Sequence, residues 1–281
     1  MIYIKKIYTY KHKKKDLEDG KYEKRFSSKE HSALTEIELK DNILKSKSNL
    51  LKHWFHSEKN KLDSLTYLIK YIKENSLNNI LSLGSGTCVF EYLLKKSLPE
   101  TYKVTATDFD SFYIEKGKEF FPELKIYNFD FFDGSFKEFF GELNEEYDLV
   151  YFLGSSYVMD YREFLNLLTS IKEFNVKKVI DFHAGYISFL ESIKYKKNDF
   201  FLKYLSYKKL KTQLKQNNRI RRLFKKSIIK INTGQRNIPY QGKFHGYGRN
   251  LFALRKIYKQ ANMKIEKEFH DDAYDYIAIL K

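Results

Sequence analysis

Short apolar runs alternate with longer stretches of helical periodicity through the middle of the chain. Five of the runs read as strands, and they span residues 80–83, 104–108, 126–130, 147–154 and 179–182. The first is a continuous apolar run of the kind found in strands that are buried on both faces. Because a helical stretch separates each run from the next, the pattern predicts a parallel, doubly wound α/β sheet.

The two flanks of this pattern predict further elements. Residues 32–73 repeat apolar side chains at helical spacing, which predicts a helical cap before the first strand. Near the C-terminus, a helix over 251–261 precedes two strands, 263–268 and 274–280, which a short acidic turn joins. The chain therefore predicts a mostly parallel seven-stranded sheet that closes with an antiparallel C-terminal hairpin.

The first strand ends in a glycine turn that is typical of a binding corner. Gly84-Ser85-Gly86 follows the strand, and apolar positions from Val89 to Leu94 continue as a helix. Glycine lets a ligand approach the backbone, and the first N–H groups of the helix face that ligand. A nicotinamide-dinucleotide fingerprint would need a third glycine at position 89, where this chain has valine, so that ligand is disfavoured.

The second and third strands each end on an acid. Asp108 closes the second strand and Asp130 closes the third. An acid at the first of these positions can accept both ribose hydroxyls of a bound nucleoside, as in other nucleoside-binding α/β folds. Two alternatives stay open, because acids are also common as helix N-caps, which would suit Asp108, and as turn residues, which would suit Asp130.

Taken in order, the segments LSLGSGTCVF, VTATDFD, YNFDFFD, EEYDLVYFLGSSYVMD and VKKVIDFHAG resemble the class I S-adenosylmethionine-dependent methyltransferases. The resemblance covers residues 60–190 and resumes at 249–281. It depends on the ordered series rather than on any one segment. It implies a Rossmann-like fold and S-adenosyl-L-methionine as cofactor.

The resemblance also implies which residues bind the cofactor. Gly84-Ser85-Gly86 matches the turn at the methionine half, Asp108 matches the acid that binds the ribose, and Asp130 matches the acid that receives the adenine amino group. The phenylalanine after the first acid packs on the adenine, and the one after the second supplies a backbone N–H. The complete set is Leu83, Gly84, Ser85, Gly86, Asp108, Phe109, Asp130, Phe131, Leu153 and Gly154.

Two positions depart from the family's pattern at the methionine end. Ser82 stands where the family usually has an acid that is often linked to the cofactor's amino group, and Cys88 stands where a third glycine is common. Main-chain carbonyls at Gly84 or Leu153 are candidates to replace the missing carboxylate contact. The departures keep open a second class of function, a catalytically silent cofactor-binding subunit that serves a partner.

The loop after the fourth strand, residues 153–160, lies at the carboxyl edge of the sheet, where open α/β folds bind their ligands. It contains no proline, which sets aside the amino-methylating DNA enzymes. The lone Cys88 has no proline before it, which sets aside the cytosine-C5 enzymes. Tyr157 and Asp160 are candidate catalytic residues that face the substrate, with the alternative that Asp160 caps the helix starting at Tyr161.

The fifth strand delivers a histidine to the same edge. Methyl transfer to a hydroxyl requires alignment of the acceptor and removal of its proton, and histidine suits the second task because its pKa lies near neutrality. His183 is therefore the candidate base, with a structural hydrogen bond as the alternative. Asp160, Asp181 and His183 lack a diagnostic metal-ligand spacing, so no metal site is predicted.

The basic character of the chain belongs to one segment. Residues 192–260 hold 20 Lys or Arg against the single acid Asp199, a net charge of +19, whereas the whole chain carries +16. Apolar side chains interleave with the bases and predict two or three amphipathic helices in a lid. Three interpretations stay open: a solvated lid, recognition of a phosphate-bearing small substrate, including one at an anionic membrane surface, or an RNA-binding lobe.

A glycine-rich turn at residues 242–250 closes this segment before the last helix. In small-molecule members of the resembling family, a similar loop often folds back over the substrate. His245, Tyr247 and Arg249 are therefore candidate acceptor contacts, and Arg249 suits an anionic group. The alternative is a tight turn with an arginine at the start of the helix.

These observations predict one α/β domain in four parts: an N-terminal arm and helical cap (1–60), a cofactor-binding core (61–191), a basic helical insertion (192–248), and the last helix with the closing hairpin (249–281). The resemblance implies methyl transfer to an oxygen, or less favourably a nitrogen, of a small-molecule or glycan acceptor, as in a surface-polysaccharide pathway. The basic segment favours an acceptor that is phosphate-bearing or anionic. An RNA methyltransferase is the alternative. The first residues lack the apolar core of a signal peptide, and we expect a cytoplasmic protein.

Overall fold

The computed structural model describes residues 43–130, 136–143, 145–186, 235–240, 243–274 and 276–281, with the backbone alone for 235–240 and 243–248. Nine strands lie in these ranges: β1 (Asn79–Leu83), β2 (Lys103–Asp108), β3 (Lys125–Asn128), β4 (Leu149–Leu153), β5 (Lys178–His183), β6 (Gln235–Tyr240), β7 (Lys243–Arg249), β8 (Ile265–Phe269) and β9 (Tyr276–Leu280). The helices there are α1 (Lys47–Ser57), α2 (Lys61–Glu74), α3 (Val89–Ser97), α4 (Ser111–Phe120), α5 (Phe136–Glu142), α6 (Tyr161–Glu173) and α7 (Leu251–Gln260).

Seven of these strands form one sheet in the order β3-β2-β1-β4-β5-β9-β8. The first five are parallel, β9 pairs antiparallel with β5, and β8 pairs antiparallel with β9. Strand order reverses beside β1, so the carboxyl ends of β1 and β4 flank a crevice where such sheets bind ligands. The predicted mostly parallel seven-stranded sheet with a closing antiparallel hairpin is confirmed.

Helices cover both faces of the sheet because its strands are apolar on both sides. Along β1, Ile80 joins the core on one face, whereas Leu81 and Leu83 join the core on the other. The first core also takes the buried side chains of α1 to α4, and the second takes those of α5, α6 and α7. Alternation along a strand thus fixes which face each residue serves, including the residues at the site described below.

The described part of the predicted helical cap consists of α1 and α2. Leu50 and Trp54 of α1 and Leu68 and Ile72 of α2 are buried in the first core, beside α3. Ser46 caps α1 by accepting a hydrogen bond from the Asn49 N–H at 3.2 Å. Within the described ranges, no helix has the length and apolar character needed to cross a bilayer.

The prediction for the end of the basic segment is wrong. Residues 243–249, predicted as part of a glycine-rich turn, form strand β7, which pairs antiparallel with β6 in a separate two-stranded sheet. Pairing with β6 satisfies the backbone groups of the glycine-rich stretch and holds it extended. Residues 200–228, whose apolar spacing predicts amphipathic helices, lie outside the described residues, and the four-part division of the chain stays a prediction.

Candidate functional site

The glycine turn after β1 is held against the end of β2. The N–H groups of Gly84 and Ser85 both donate to the Thr107 carbonyl at 2.9 Å. Gly86 has a φ of +55°, a left-handed conformation that favours glycine, and a Cβ built on it would meet no atom of the described residues within 4 Å. The described part of the chain therefore leaves the space beside this backbone open, so a ligand can approach it closely.

The Asp108 carboxylate ties the end of β2 to this turn. Its Oδ2 accepts a hydrogen bond from the Gly86 N–H at 2.7 Å, and its Oδ1 accepts one from the Asp110 N–H at 3.0 Å. The N-cap of α4 is Asp110, whose side chain accepts from the Phe112 N–H. The helix-cap alternative for Asp108 is therefore wrong, and its carboxylate faces the glycine turn.

The other residues that the resemblance assigns to the cofactor surround the same crevice. Phe109 and Asp130 are half-buried at the neighbouring ends of β2 and β3, whereas Phe131 lies outside the described residues. At the end of β4, Leu153 and Gly154 are half-buried, and the Gly154 N–H donates to the Phe182 carbonyl at 2.9 Å. Gly154 has a φ of +72°, and an added Cβ would lie 3.2 Å from the Tyr274 ring, so no side chain fits there without displacing that ring.

Cys88 and Ser82, the two departures from the family's pattern, each have a distinct environment in the structure. Cys88 has a φ of +58°, so a cysteine occupies a left-handed position that suits glycine better. Ser82 is buried and donates a hydrogen bond to Glu91 Oε1 at 2.7 Å, and the Tyr151 hydroxyl donates to the same oxygen at 2.9 Å. Burial raises the pKa of the Glu91 carboxyl, against the opposing effect of these hydrogen bonds.

Glu91 is not among the site residues predicted from the sequence. The only available signal was an acid within the apolar run that opens α3, at a position where the helix packs on the sheet. An acid in the first turn of a helix is common on dipole grounds alone. Nothing local indicates that the side chain turns back to Ser82 and Tyr151, which lie on two different strands.

A second polar cluster lies beyond the carboxyl ends of β4 and β5. The Ser156 hydroxyl donates to Asp181 Oδ1 at 2.6 Å and lies 2.8 Å from His183 Nδ1. The Tyr258 hydroxyl donates to Asp181 Oδ2 at 2.7 Å. Ser156, Asp181 and His183 are all fully buried.

These contacts determine the tautomer of His183. Because the single Ser156 hydroxyl proton goes to Asp181, Ser156 accepts a hydrogen bond from Nδ1–H, and a neutral imidazole then carries a lone pair on Nε2. Nε2 is buried and has no hydrogen-bond partner among the described residues. Burial lowers the pKa of His183, the nearby Asp181 opposes this effect, and Arg249 adds to it, so the ring favours its neutral form.

Arg249 does not lie where a substrate contact was predicted. Its side chain is fully buried, and its guanidinium donates to the carbonyls of Ser156, at 3.2 Å, and Met159. The alternative of a helix-start arginine is also wrong, because Asn250 is the N-cap of α7 and accepts from the Ala253 N–H. Arg249 instead joins β7 to the loop after β4. His245 and Tyr247 lie on β7, where only the backbone is described.

Of the two candidates in the loop after β4, Asp160 is a helix cap. Its side chain accepts from the N–H groups of Arg162 and Glu163, and the Glu163 carboxylate accepts from the Asp160 N–H, which completes a capping box for α6. Tyr157 is half-buried in the short 3₁₀ turn Ser156–Val158. Within the described ranges, no group of three or more His, Cys, Asp or Glu side chains could hold a metal ion.

Replacing Asp160 by alanine is expected to lower the free energy of unfolding by about 1 kcal/mol, because two N–H groups of α6 lose their acceptor. Urea unfolding followed by circular dichroism measures the change. Ser46→Ala, which removes the cap of α1, is the matched control and should give a loss of similar size. An Asp160→Ala variant as stable as the wild type would contradict the capping role.

Comparison with known proteins identifies the fold. No protein-family model matches the chain, and no curated protein matches it. Among solved structures, Streptomyces venezuelae DesVI is similar with a TM-score of 0.51 at 7% identity, over 83% of this chain and 97% of that one. The S-adenosylmethionine-dependent methyltransferase SibL gives 0.48 at 11% identity, over 79% of this chain and 55% of SibL, so this chain spans about half the length of SibL.

A third similar structure is that of the magnesium protoporphyrin IX methyltransferase ChlM from Synechocystis with bound SAH. It gives a TM-score of 0.45 at 11% identity, over 79% of this chain and 82% of ChlM. At these identities the likeness concerns the fold alone. The likeness to DesVI, together with the strand order, confirms the Rossmann-like fold that the resemblance implied.

Proposed function

We propose that the protein transfers a methyl group from S-adenosyl-L-methionine to an oxygen of a small-molecule or glycan acceptor. The observation that carries this proposal is the corner in which the Asp108 carboxylate meets the Gly84–Gly86 turn, at the crevice of a class I methyltransferase sheet. The proposal has two parts, a cofactor site at β1, β2 and β4 and an acceptor site at β4 and β5.

The residues at the corner fit the cofactor. Asp108 has two carboxylate oxygens near the open space beside Gly86, and this geometry suits a pair of ribose hydroxyls. Asp130 and Phe109 lie at the adjoining strand ends and suit the adenine. Gly84 and Gly154, both with positive φ, form the turns after β1 and β4 at which we place the methionine end. When bound, the cofactor supplies an electrophilic methyl group on a positively charged sulfur.

On the acceptor side, His183 is proposed as the base. Its neutral Nε2 would take the proton of the acceptor hydroxyl as that oxygen gains the methyl group, so the products are a methyl ether, S-adenosylhomocysteine and one proton. Asp181 and Ser156 hold the Nδ1–H tautomer that leaves Nε2 basic. Because Nε2 is buried, this role requires the groups that cover Nε2 to move when the acceptor enters.

The identity of the acceptor rests on charge alone. The excess of Lys and Arg in residues 192–260 favours an anionic acceptor, such as a phosphorylated sugar or a lipid-linked glycan at a membrane surface. A surface-polysaccharide pathway in the cytoplasm would suit this activity. RNA is the alternative acceptor, and its binding should weaken steeply as the salt concentration rises.

An acceptor screen with S-adenosylmethionine labelled in the methyl group tests the proposal. Sugar phosphates, nucleotide sugars, lipid-linked glycans and total RNA are incubated separately with the protein, and label transfer and S-adenosylhomocysteine are measured together. We expect equal amounts of labelled small-molecule product and S-adenosylhomocysteine. Label on RNA alone would overturn the small-molecule acceptor. Cofactor binding without transfer to any acceptor class would favour a silent subunit.

Replacing Ser156 by alanine is expected to lower kcat by about tenfold or more, because His183 loses the acceptor that holds its tautomer. Cofactor affinity should not change, since Ser156 lies outside the corner. Measurements of kcat with the acceptor from the screen, and calorimetric titration with the cofactor, check both expectations.

Ser64→Ala is the matched control for this variant. Ser64 is also a fully buried serine that donates to a carboxylate, Asp271, but it lies on α2. Its loss should reduce stability and leave kcat per folded molecule unchanged. An equal effect of the two substitutions on kcat would show that Ser156 has only a structural role.

A further inference from the structure

Glu91 is a buried acid that the proposed reaction does not yet use. Its carboxyl group is fully buried, and the residue lies in the first turn of α3, the helix that follows the glycine turn. Ser82 and Tyr151 both donate hydrogen bonds to Oε1, at 2.7 and 2.9 Å. The other oxygen, Oε2, is buried and has no hydrogen-bond partner among the described residues. Hydrogen bonds from β1 and β4 thus hold Oε1 in place, whereas Oε2 has no hydrogen-bond partner among the described residues.

Neither protonation state satisfies this arrangement. The charge of Lys61 favours the ionised form, but among the described residues an ionised carboxylate would leave Oε2 as a buried acceptor without a hydrogen-bond donor, and a neutral carboxyl would leave a buried O–H without an acceptor. Leaving such a group unpaired is costly, and a cation with several N–H donors would satisfy the ionised form. The chemistry at Oε2 therefore calls for an ammonium or a similar group.

The carboxyl is bonded to the two strands that lead into the glycine turns of the cofactor site, through Ser82 on β1 and Tyr151 on β4. Burial raises the pKa of the Cys88 thiol, and the charge of Glu91 adds to this effect. The resemblance assigns the first turn to the methionine half of the cofactor, and the Leu153 carbonyl, which precedes Gly154 in the second, is a candidate contact there.

We infer that Glu91 binds the α-ammonium group of the cofactor through Oε2. This inference rests on the proposed function, because it needs S-adenosylmethionine in the corner. It also explains the serine at position 82: the acid of this corner comes from helix α3 rather than from strand β1, and the Ser82 hydroxyl orients it. Glu91 is thus a cofactor-binding residue, and Ser82 and Tyr151 position it.

The test compares two ligands in the wild type and in Glu91→Gln. One ligand is S-adenosylhomocysteine, and the other is its deaminated analogue, which keeps the carboxylate and lacks the ammonium group. The glutamine keeps an oxygen for Ser82 and Tyr151 but has no charge. We expect the substitution to weaken S-adenosylhomocysteine binding by at least about tenfold and to leave the affinity for the deaminated analogue within about twofold.

The outcomes separate this inference from the proposed function. Wild-type protein that binds S-adenosylhomocysteine, with equal effects of the substitution on both ligands, keeps the cofactor and overturns the role of Glu91. Wild-type protein that binds neither ligand overturns the proposed function, and the inference with it.

If Glu91→Gln does not fold, a measurement on the wild type alone tests whether Glu91 binds the ammonium group. An arriving ammonium should favour the ionised form of Glu91, whose pKa burial raises, so binding of S-adenosylhomocysteine should release a proton at pH values where the free protein holds Glu91 neutral, and binding of the deaminated analogue should not. Calorimetry in pairs of buffers of different ionisation enthalpy, at a series of pH values, measures this release. Equal proton release for the two ligands at every pH would contradict the inference.

Discussion

Replacing Asp108 by alanine is expected to weaken the binding of S-adenosylmethionine and S-adenosylhomocysteine by at least about tenfold, because charge-assisted hydrogen bonds to the ribose are lost. The same change removes the acceptor for the N–H groups of Gly86 and Asp110, so the turn itself loosens. Both effects reduce affinity. Isothermal titration calorimetry of the variant and the wild type measures the difference.

Asp148→Ala is the matched control for this prediction. Asp148 also accepts two backbone N–H groups, those of Asn78 and Asn79 at 2.7 and 3.0 Å, but at the opposite end of β1. Its loss should lower stability and leave cofactor affinity unchanged. If Asp108→Ala bound the cofactor as tightly as the wild type, the ribose assignment would be untenable.

Replacing His183 by asparagine is expected to lower kcat by about 10² to 10⁴-fold while cofactor affinity stays unchanged. The Asn amide can donate to Ser156 as Nδ1–H does, but it has no atom at the place of Nε2. The substitution therefore removes the base and keeps the hydrogen bond. Turnover with the acceptor from the screen, together with the cofactor titration, checks both parts.

The pH dependence of turnover gives a second readout of the same residue. Only neutral His183 can take a proton, so the wild-type rate should rise with pH through the pKa of this histidine and then level off. Burial lowers that pKa, so the rise should lie below the pH at which a free imidazole titrates. The asparagine variant should lack this rise. His270→Asn, at an exposed position, should keep it. Wild-type rates in His183→Asn would leave the histidine only a structural role.

The features that the sequence predicts well are those that depend on nearby residues. Strand, glycine turn and helix follow one another within residues 79–97, and Asp108 is the last residue of its strand. Hydrophobic alternation and turn chemistry act over such short separations, so the strands, the glycine turn and the position of Asp108 at a strand end can all be predicted from the chain.

The contacts that shape the acceptor side join residues far apart in the chain. Arg249 binds the Ser156 carbonyl across 93 positions, and Tyr258 binds Asp181 across 77. The residues next to an arginine in the sequence do not show whether it is buried and donates to backbone carbonyls or is exposed and binds an anion. Likewise, the glycines of β7 indicate a turn unless the partner strand β6 is known.

The most direct test of the proposed function is the calorimetric titration of the wild-type protein with S-adenosylmethionine and S-adenosylhomocysteine. The corner formed by Asp108, the glycine turn and Glu91 predicts binding of both ligands with one site per chain and dissociation constants in the micromolar range, on the order of 1 to 100 μM. Binding of neither ligand, by protein whose circular dichroism shows a folded α/β domain, would contradict the cofactor assignment and every role proposed for the site.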